Sequence, residues 1–200
     1  MATLEDRIRK LEDRAELHDL ATAYFQATDD DDYAWLGKCF ASDATFAASG
    51  FPDSAGRAAI TDFLKSARSG MGQTVHTPSY VRLTFDGDDE ASGMVAAHLE
   101  LGIGDTTYFA AVRYFDRYRR EDGHWRIARR EMRAVHVGPW ADVGNSLSST
   151  HNIRWPGSEP QISDFPRKDP QIGKLEAFMA WENSADSNNQ MGERNVEHKT

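Results

Sequence analysis

Apolar residues in the first part of the chain recur three or four positions apart, the period of an amphipathic helix. They are Leu4, Ile8, Leu11 and Ala15, with Leu17, Leu20, Ala21, Tyr24 and Phe25 on an adjacent stripe. Four consecutive aspartates follow at 29–32. Negative charge is unfavourable at the end of a helix and favourable at the start of one. The pattern predicts a long helix, a break near Asp29–Asp31, and a short second helix with Trp35 facing inward.

The rest of the first half predicts a short strand over residues 42–46 and a third helix over 56–67. After Gly72 the apolar period changes to two, which is typical of strands. Turn-forming segments rich in Asp and Gly separate the predicted strands, which cover residues 76–85, 91–101, 106–119 and 125–137. Helices followed by an antiparallel meander predict an α+β fold rather than a βαβ fold.

The pattern weakens after Gly138, where prolines, serines and asparagines become frequent. We expect an α+β domain over residues 1–140 and an extended arm over 141–200, with a short helix at 174–182 and disorder beyond it. Aromatic residues in the arm are expected to cover the pocket or a neighbouring subunit, because they are costly to leave in water. They are Trp140, Trp155, Phe165, Phe178 and Trp181.

Composition narrows the possible partners. The chain has 200 residues with 23 Lys and Arg against 32 Asp and Glu, a net charge of −9. This charge repels phosphate, so neither nucleic acid nor an anionic membrane is an expected partner. Cys39 is the only cysteine and predicts a buried, inert thiol rather than a disulfide. The N-terminus lacks the apolar core of a secretory signal, which predicts a soluble cytoplasmic protein.

A helix packed across a bent sheet leaves a cavity at one end, and five polar residues are candidates to line it. They are Tyr24, Asp29, His76, His98 and Arg133. A histidine beside a carboxylate is a typical general base, and a tyrosine can hydrogen-bond a departing oxygen. Structural roles compete with these assignments: Tyr24 in the core, Asp29 as a helix cap, His98 as a packed strand residue and Arg133 in a surface ion pair.

Three segments resemble proteins of the SnoaL-like, or nuclear-transport-factor-2-like, superfamily. Residues 11–29 resemble the first helix of these proteins, His76-Thr77-Pro78 resembles the start of their first long strand, and residues 118–127 resemble the hairpin into their last strand. The resemblance covers about residues 5–140. It implies a cone-shaped α+β barrel, in which N-terminal helices pack on a strongly bent, mixed and mainly antiparallel sheet that encloses one pocket.

Within this superfamily, the chain is most similar to scytalone dehydratase, the bile-acid dehydratases and hexachlorocyclohexane dehydrochlorinase. The resemblance implies that His76, Asp29 and Tyr24 are catalytic. It places Arg133 near a pocket arginine of the dehydratases and aligns His98 loosely with a second histidine of scytalone dehydratase. It also implies a homo-oligomer, with a trimer expected and a dimer as the alternative.

These observations favour a lyase that removes water from a hydrophobic cyclic substrate, steroid-like or polyketide-like, without a cofactor or metal. His76 acts as the base, Asp29 orients it and Tyr24 donates a hydrogen bond. Apolar substrate contacts are expected from Trp35, Phe46, Phe63 and Tyr80. A cyclase or isomerase on the same scaffold and a non-catalytic binding protein stay open as alternatives, because one fold serves many functions.

Overall fold

Three N-terminal helices and one six-stranded sheet form the body of the protein. The computed structural model describes residues 3–165. The helices are α1 (Leu4–Asp29), α2 (Tyr33–Lys38), α3 (Arg57–Arg68) and a single turn, α4 (Val143–Ser146), which follows a 3₁₀ turn at Trp140–Asp142. The strands are β1 (Phe40–Ala48), β2 (Ser54–Ala55), β3 (Met71–Phe85), β4 (Glu90–Ile103), β5 (Thr106–Glu121) and β6 (His124–Pro139).

The sheet has the strand order β2-β1-β6-β5-β4-β3, with β1 parallel to β6 and all other neighbours antiparallel. The meander from β3 to β6 follows the predicted period-two pattern. Its last turn uses Asp122 and Gly123, both with positive φ, as a tight two-residue hairpin requires. The predicted α+β class and the mixed, mainly antiparallel sheet are confirmed.

The aspartate cluster divides α1 from α2 as predicted. Asp31 has a φ of 53°, and the Asp32 carboxylate caps α2 by accepting a 2.9 Å hydrogen bond from the Trp35 backbone N–H. The inward position predicted for Trp35 is wrong, because its surface is 38% exposed while Leu36 is fully buried. Successive residues of a helix point about 100° apart, so a short helix that buries Leu36 leaves Trp35 at the edge.

The inner face of the sheet carries the core. Its buried residues on the meander include Val95, Leu99, Val112, Tyr114, Ile127 and Ala134. A β-bulge interrupts the pairing of β3 with β4 between Pro78 and Tyr80. Residues directly opposite each other in a ladder lie on one face, and a bulge adds one residue that shifts this alternation. Residues before and after this bulge with the same parity therefore face opposite sides of the sheet.

Residues 140–165 continue from β6 and pack against it. Val137 donates its backbone N–H to Asn152 O and accepts from Arg154 N, both at 2.9 Å. Ile153 between them is 1% exposed. The remainder of the predicted arm, including the helix at 174–182 and the disorder beyond it, lies outside the described residues, and the predicted boundary after residue 140 stays a prediction. In the described part of the chain, no helix is long and apolar enough to cross a membrane.

Candidate active site

The end of α1 meets the start of β3, and this junction brings Asp29 and His76 together. The His76 ring Nδ1 lies 2.6 Å from Asp29 Oδ1, and the His76 backbone N–H donates to Asp29 Oδ2 at 2.8 Å. The His76 side chain is 7% exposed and that of Asp29 is 22% exposed. Phe25 stacks on the imidazole with a centroid distance of 5.7 Å. One carboxylate therefore fixes both the backbone and the ring of His76.

A hydrogen-bonded chain holds the carboxylate from behind. Thr74 Oγ1 donates to Asp29 Oδ1 at 2.7 Å, and Arg68 Nη1 donates to Thr74 Oγ1 at 2.9 Å. Arg68 also donates from Nε to Asp31 Oδ1 at 2.6 Å. Arg68 is the last residue of α3, so this chain links α3, β3 and the turn after α1. The position of His76 thus depends on three separate elements.

Electrostatics at the pair favour a charged carboxylate. Burial alone would raise the pKa of Asp29, but the hydrogen bonds from His76 and Thr74 outweigh it, so the pKa lies below its ordinary value. An ionised carboxylate can only accept, so the 2.6 Å contact requires that Nδ1 carry the proton. A neutral imidazole with its proton on Nδ1 has its lone pair on Nε2, which is the tautomer a general base needs.

The pocket beside His76 is narrow and apolar. It encloses about 90 Å³. Its walls come from α1, α3, the sheet and the segment after β6, and they include Tyr24, Thr28, Phe46, Phe51, Phe63, Leu64, Arg68, Met71, His76, Leu99, Tyr114, Met132 and Trp155. Since most of these side chains are apolar, a bound group is selected by shape first and by a few polar contacts second.

Tyr24 is the second titratable group on this wall. It lies one turn before the end of α1 and is 3% exposed. Burial raises the pKa of its hydroxyl, and the nearby Arg130 charge opposes this shift without cancelling it. The hydroxyl is therefore protonated at neutral pH and can donate a hydrogen bond. The Arg130 guanidinium lies over the Tyr24 ring, 4.1 Å from its centroid, and holds the ring in place.

The charge of Arg130 is balanced inside the core. Its Nε and Nη2 donate to the two carboxylate oxygens of Asp116 at 2.8 and 2.7 Å, and neither side chain is exposed. Such a bidentate pair is tolerated in the interior because each charge is compensated by hydrogen bonds. It supports Tyr24 from the side of the sheet.

Among the predicted site residues, the structure brings Tyr24, Asp29, His76, Phe46 and Phe63 together at this pocket. Tyr80 does not line it and is 50% exposed. His76 and Tyr80 are four residues apart, so strict alternation would put both on one face of β3, and the bulge explains the difference. His76 pairs with Leu99, which faces the core, whereas Tyr80 pairs with Ala96 on the other face. Trp35, at the exposed edge of α2, does not line the pocket either.

The predicted pocket contacts of Arg133 and His98 are also not found. Arg133 lies on the outer face of β6, where its Nε donates to Glu131 Oε1 at 2.6 Å and its side chain is 45% exposed. His98 lies on the outer face of β4 and stacks on Phe109 with a centroid distance of 5.4 Å. Both lie on the surface opposite the His76 pocket. Arg133 is therefore in a surface ion pair and His98 is a packed strand residue, the structural alternatives given for them above.

Several site residues were missed by sequence reasoning. Arg68 had a signal, because it continues the buried stripe of Ile60 and Leu64 at helical spacing. Thr74 had a weaker one, two positions before His76 on the same face of β3. Trp155 was predicted to cover either the pocket or a neighbouring subunit, and it lines the pocket. Within residues 3–165, no three His, Cys, Asp or Glu side chains cluster as a metal site.

Comparisons with known proteins agree with this architecture. Residues 9–131 match the family described as the SnoaL-like domain. No curated protein matches the sequence. Many solved structures resemble the fold. One is a candidate scytalone dehydratase from Novosphingobium aromaticivorans, with 19% identity, a TM-score of 0.63, and coverage of 67% of this chain and 91% of that one.

Two further structures show the same likeness. A hexachlorocyclohexane dehydrochlorinase from Novosphingobium barchaimii has 21% identity and a TM-score of 0.64, over 68% of this chain and 96% of its own. A nuclear-transport-factor-2-like protein from Novosphingobium aromaticivorans has 28% identity and a TM-score of 0.55, over 66% and 90%. The predicted cone-shaped fold is confirmed by these likenesses, while assembly stays a prediction.

Proposed function

Because this chain belongs to the SnoaL-like domain family, whose scaffold builds one-ended pockets, we propose that it is a carbon–oxygen lyase acting on a hydrophobic cyclic substrate. The observation that carries the proposal is the buried Asp29–His76 pair at an apolar pocket. Solved structures of similar fold include a dehydrochlorinase and a candidate scytalone dehydratase, which supports elimination as the reaction class.

The proposed reaction begins with proton abstraction by His76. Nε2 takes a proton from the carbon beside a ring carbonyl, and the electron pair of that C–H bond forms the new C=C bond. The C–O bond to the hydroxyl at the β-carbon breaks, and the proton on Nε2 passes to the departing hydroxyl, so that water leaves. Asp29 stabilises the imidazolium between the two proton transfers. General acid–base catalysis of this kind supplies about 10²–10⁴-fold.

Tyr24 is proposed to donate a hydrogen bond to the departing hydroxyl or to the developing enolate oxygen. Its raised pKa keeps the donor proton in place at neutral pH. A donor fixed in advance in an apolar site needs no reorganisation during the reaction, which is why such groups stabilise developing charge well. Arg130 is proposed to act through Tyr24, by holding its ring.

Pocket size restricts which part of the substrate is enclosed. A closed cavity of about 150 Å³ takes one benzene ring, and this pocket encloses about 90 Å³. The enclosed space is therefore smaller than one complete ring, and a steroid-like or polyketide-like skeleton exceeds it further. We propose that the reacting edge of one ring enters, and that the rest of this ring and any further rings lie at the mouth.

The test is dehydration of 3-hydroxycyclohexanone to cyclohexenone, followed by the ultraviolet absorbance of the enone and by mass spectrometry. His76→Gln is expected to lose about 10²–10⁴-fold of kcat/KM. His98→Gln is the matched control, because it changes the same residue type on the outer face. Equal activity of the His76 variant would refute the mechanism. A product of unchanged mass would indicate an isomerase or cyclase, and binding without turnover would indicate a binding protein.

A further inference from the structure

Trp155 has a feature that the proposed reaction does not use. It lines the pocket together with His76 and Tyr24. Its indole nitrogen is buried and has no hydrogen-bond partner within residues 3–165. A buried N–H loses its hydrogen bonds to water, so almost all such groups in folded proteins have a partner. An exception in a residue that lines a ligand pocket makes this N–H a candidate donor to a bound ligand.

Three other buried polar atoms also lack partners in the described part of the chain: Arg130 Nη1, Asn152 Oδ1 and Arg154 Nε. None of these residues lines the pocket beside His76. Arg130 and Arg154 each make an ion pair through their other nitrogens, with Asp116 and Asp142. Trp155 combines an unused donor with a position on the pocket wall, and this combination separates it from the other three.

The segment that carries Trp155 holds it in a fixed position. Ile153 and Gln161 exchange two backbone hydrogen bonds of 3.0 and 2.8 Å, which close a loop over residues 153–161. The Ser158 hydroxyl donates to Trp155 O at 2.9 Å. The indole packs edge-to-face on Phe51 with a centroid distance of 5.6 Å. A donor that is already ordered loses little entropy when it binds an acceptor.

Apart from the hydroxyls of Tyr24 and Tyr114, which also line the pocket, the other polar side chains on the wall are already engaged. Thr28 donates its hydroxyl to Tyr24 O at 2.7 Å, and Arg68 is held by Asp31 and Thr74. His76 uses Nδ1 for Asp29, and the proposed function reserves Nε2 for the reacting proton. An acceptor oxygen on a bound ring therefore has three donors on the wall, the hydroxyls of Tyr24 and Tyr114 and the Trp155 indole, and the indole is the buried one without a partner within residues 3–165.

We infer that the Trp155 indole N–H binds the carbonyl oxygen of the substrate, so that the site selects single-ring ketones, or the ketone ring of a larger molecule, over apolar rings of the same size. This inference rests on the proposed function for the identity of the acceptor. Trp155 is then a specificity-determining residue, and the reacting C–H bond lies between it and His76.

The experiment compares two rings of similar size, cyclohexanone, which has an acceptor, and methylcyclohexane, which has none. In ¹⁵N-labelled protein the indole resonance of Trp155 is the one that disappears in Trp155→Phe. Cyclohexanone is expected to move this resonance downfield and to bind three- to tenfold more weakly to Trp155→Phe, the range for one hydrogen bond. The affinity for methylcyclohexane is expected to change less than twofold in Trp155→Phe, because phenylalanine keeps an aromatic wall.

Trp140→Phe is the matched control, since Trp140 is 53% exposed and does not line this pocket. It is expected to leave both affinities unchanged. The inference is overturned if saturating cyclohexanone leaves the Trp155 resonance in place, or if Trp155→Phe weakens both probes equally. The resonance is read in the unaltered chain, where the contact of the Trp155 indole with the Phe51 ring also identifies it, so an unstable variant does not remove the test.

Neither probe has a leaving group, so the result does not depend on elimination. If the binding result contradicts the role of Trp155 while His76→Gln loses turnover, only the role of Trp155 is refuted. If the binding result supports Trp155 while His76→Gln keeps full turnover, His76 is refuted as the base and Trp155 is retained as a donor.

Discussion

Replacing Asp29 with asparagine changes the charge of the site but hardly its shape. The Asp29 carboxylate accepts from three donors: the His76 backbone N–H on Oδ2, and Thr74 Oγ1 and His76 Nδ1 on Oδ1. The backbone N–H can only donate, so the asparagine oxygen must take the Oδ2 position. Its NH₂ group then faces His76 Nδ1 and Thr74. The amide donates to the Nδ1 lone pair, which moves the imidazole proton to Nε2.

This tautomer places a proton where the reaction needs a lone pair. The variant also loses the negative charge that stabilises the imidazolium. Both losses act on the same general-base step, whose contribution is about 10²–10⁴-fold. We therefore expect Asp29→Asn to lower kcat for 3-hydroxycyclohexanone by about 10²–10⁴-fold, and to change KM little because Asp29 lies behind His76.

Two measurements check this reasoning. Steady-state kinetics give kcat and KM, and ¹⁵N chemical shifts of the His76 ring identify its tautomer without any turnover. Asp30→Asn is the matched control, because Asp30 is the exposed neighbour in the same aspartate cluster. Circular dichroism verifies that both variants fold. The reasoning is refuted if Asp29→Asn retains kcat within tenfold, or if its His76 keeps the proton on Nδ1.

Two further predictions concern groups away from the pocket. Burial raises the pKa of the Cys39 thiol to about 11, so the folded protein is expected to resist Ellman's reagent at pH 8 and to react once unfolded; fast labelling of the folded protein would contradict its burial. Glu121 accepts from Ser42, Arg119 and Arg57, and these bonds lower its pKa to about 2. A carboxyl group whose pKa is lower in the folded than in the unfolded protein stabilises the fold above about pH 4.5. This stabilisation is lost as the pH falls toward 2. Thermal unfolding is therefore expected to show Glu121→Gln less stable than the parent at pH 7, with the gap closing in acid, and a gap independent of pH would refute this.

Periodicity predicted the helices and long strands but could not fix which face each strand residue occupies. Strict alternation from His76 reaches Tyr80 and places both in the pocket. The extra residue between Pro78 and Tyr80 reverses the alternation, so Tyr80 lies outside. Pro78 is typical of an edge strand or a bulge, but which residue is added depends on the pairing with the partner strand, and a local pattern does not specify that pairing. The resemblance grouped His76 with Asp29, and the two lie side by side in the structure, because a resemblance carries tertiary information that periodicity lacks.

The arginines of β6 also show that periodicity alone does not fix which residues of two strands lie opposite each other. The last turn pairs Glu121 with His124, so an unbroken ladder would place Asp116 opposite Arg129. The pairing steps from Arg117↔Arg129 to Tyr118↔Ile127, so Ala128 is an extra residue on β6. Asp116 therefore pairs with Arg130, and the two form the buried ion pair under Tyr24. Sequence reasoning chose Arg133 for a role at the pocket, three residues away on the outer face. Arg130 lies under Tyr24 without lining the pocket, so the register of β6 decides which arginine is buried.

The two walls of the pocket come from parts of the chain with different relationships to the family. Tyr24, Asp29 and His76 all lie within residues 9–131, which match the SnoaL-like domain. Trp155 lies beyond this match, in the segment that packs on β6. If His76 acts as the base and Trp155 as the donor, the reaction depends on residues within the family match, whereas the choice of substrate depends on a segment outside it. The substrates named for proteins of similar fold are then poor guides to the substrate here, and the shape of the Trp155 wall is the better one.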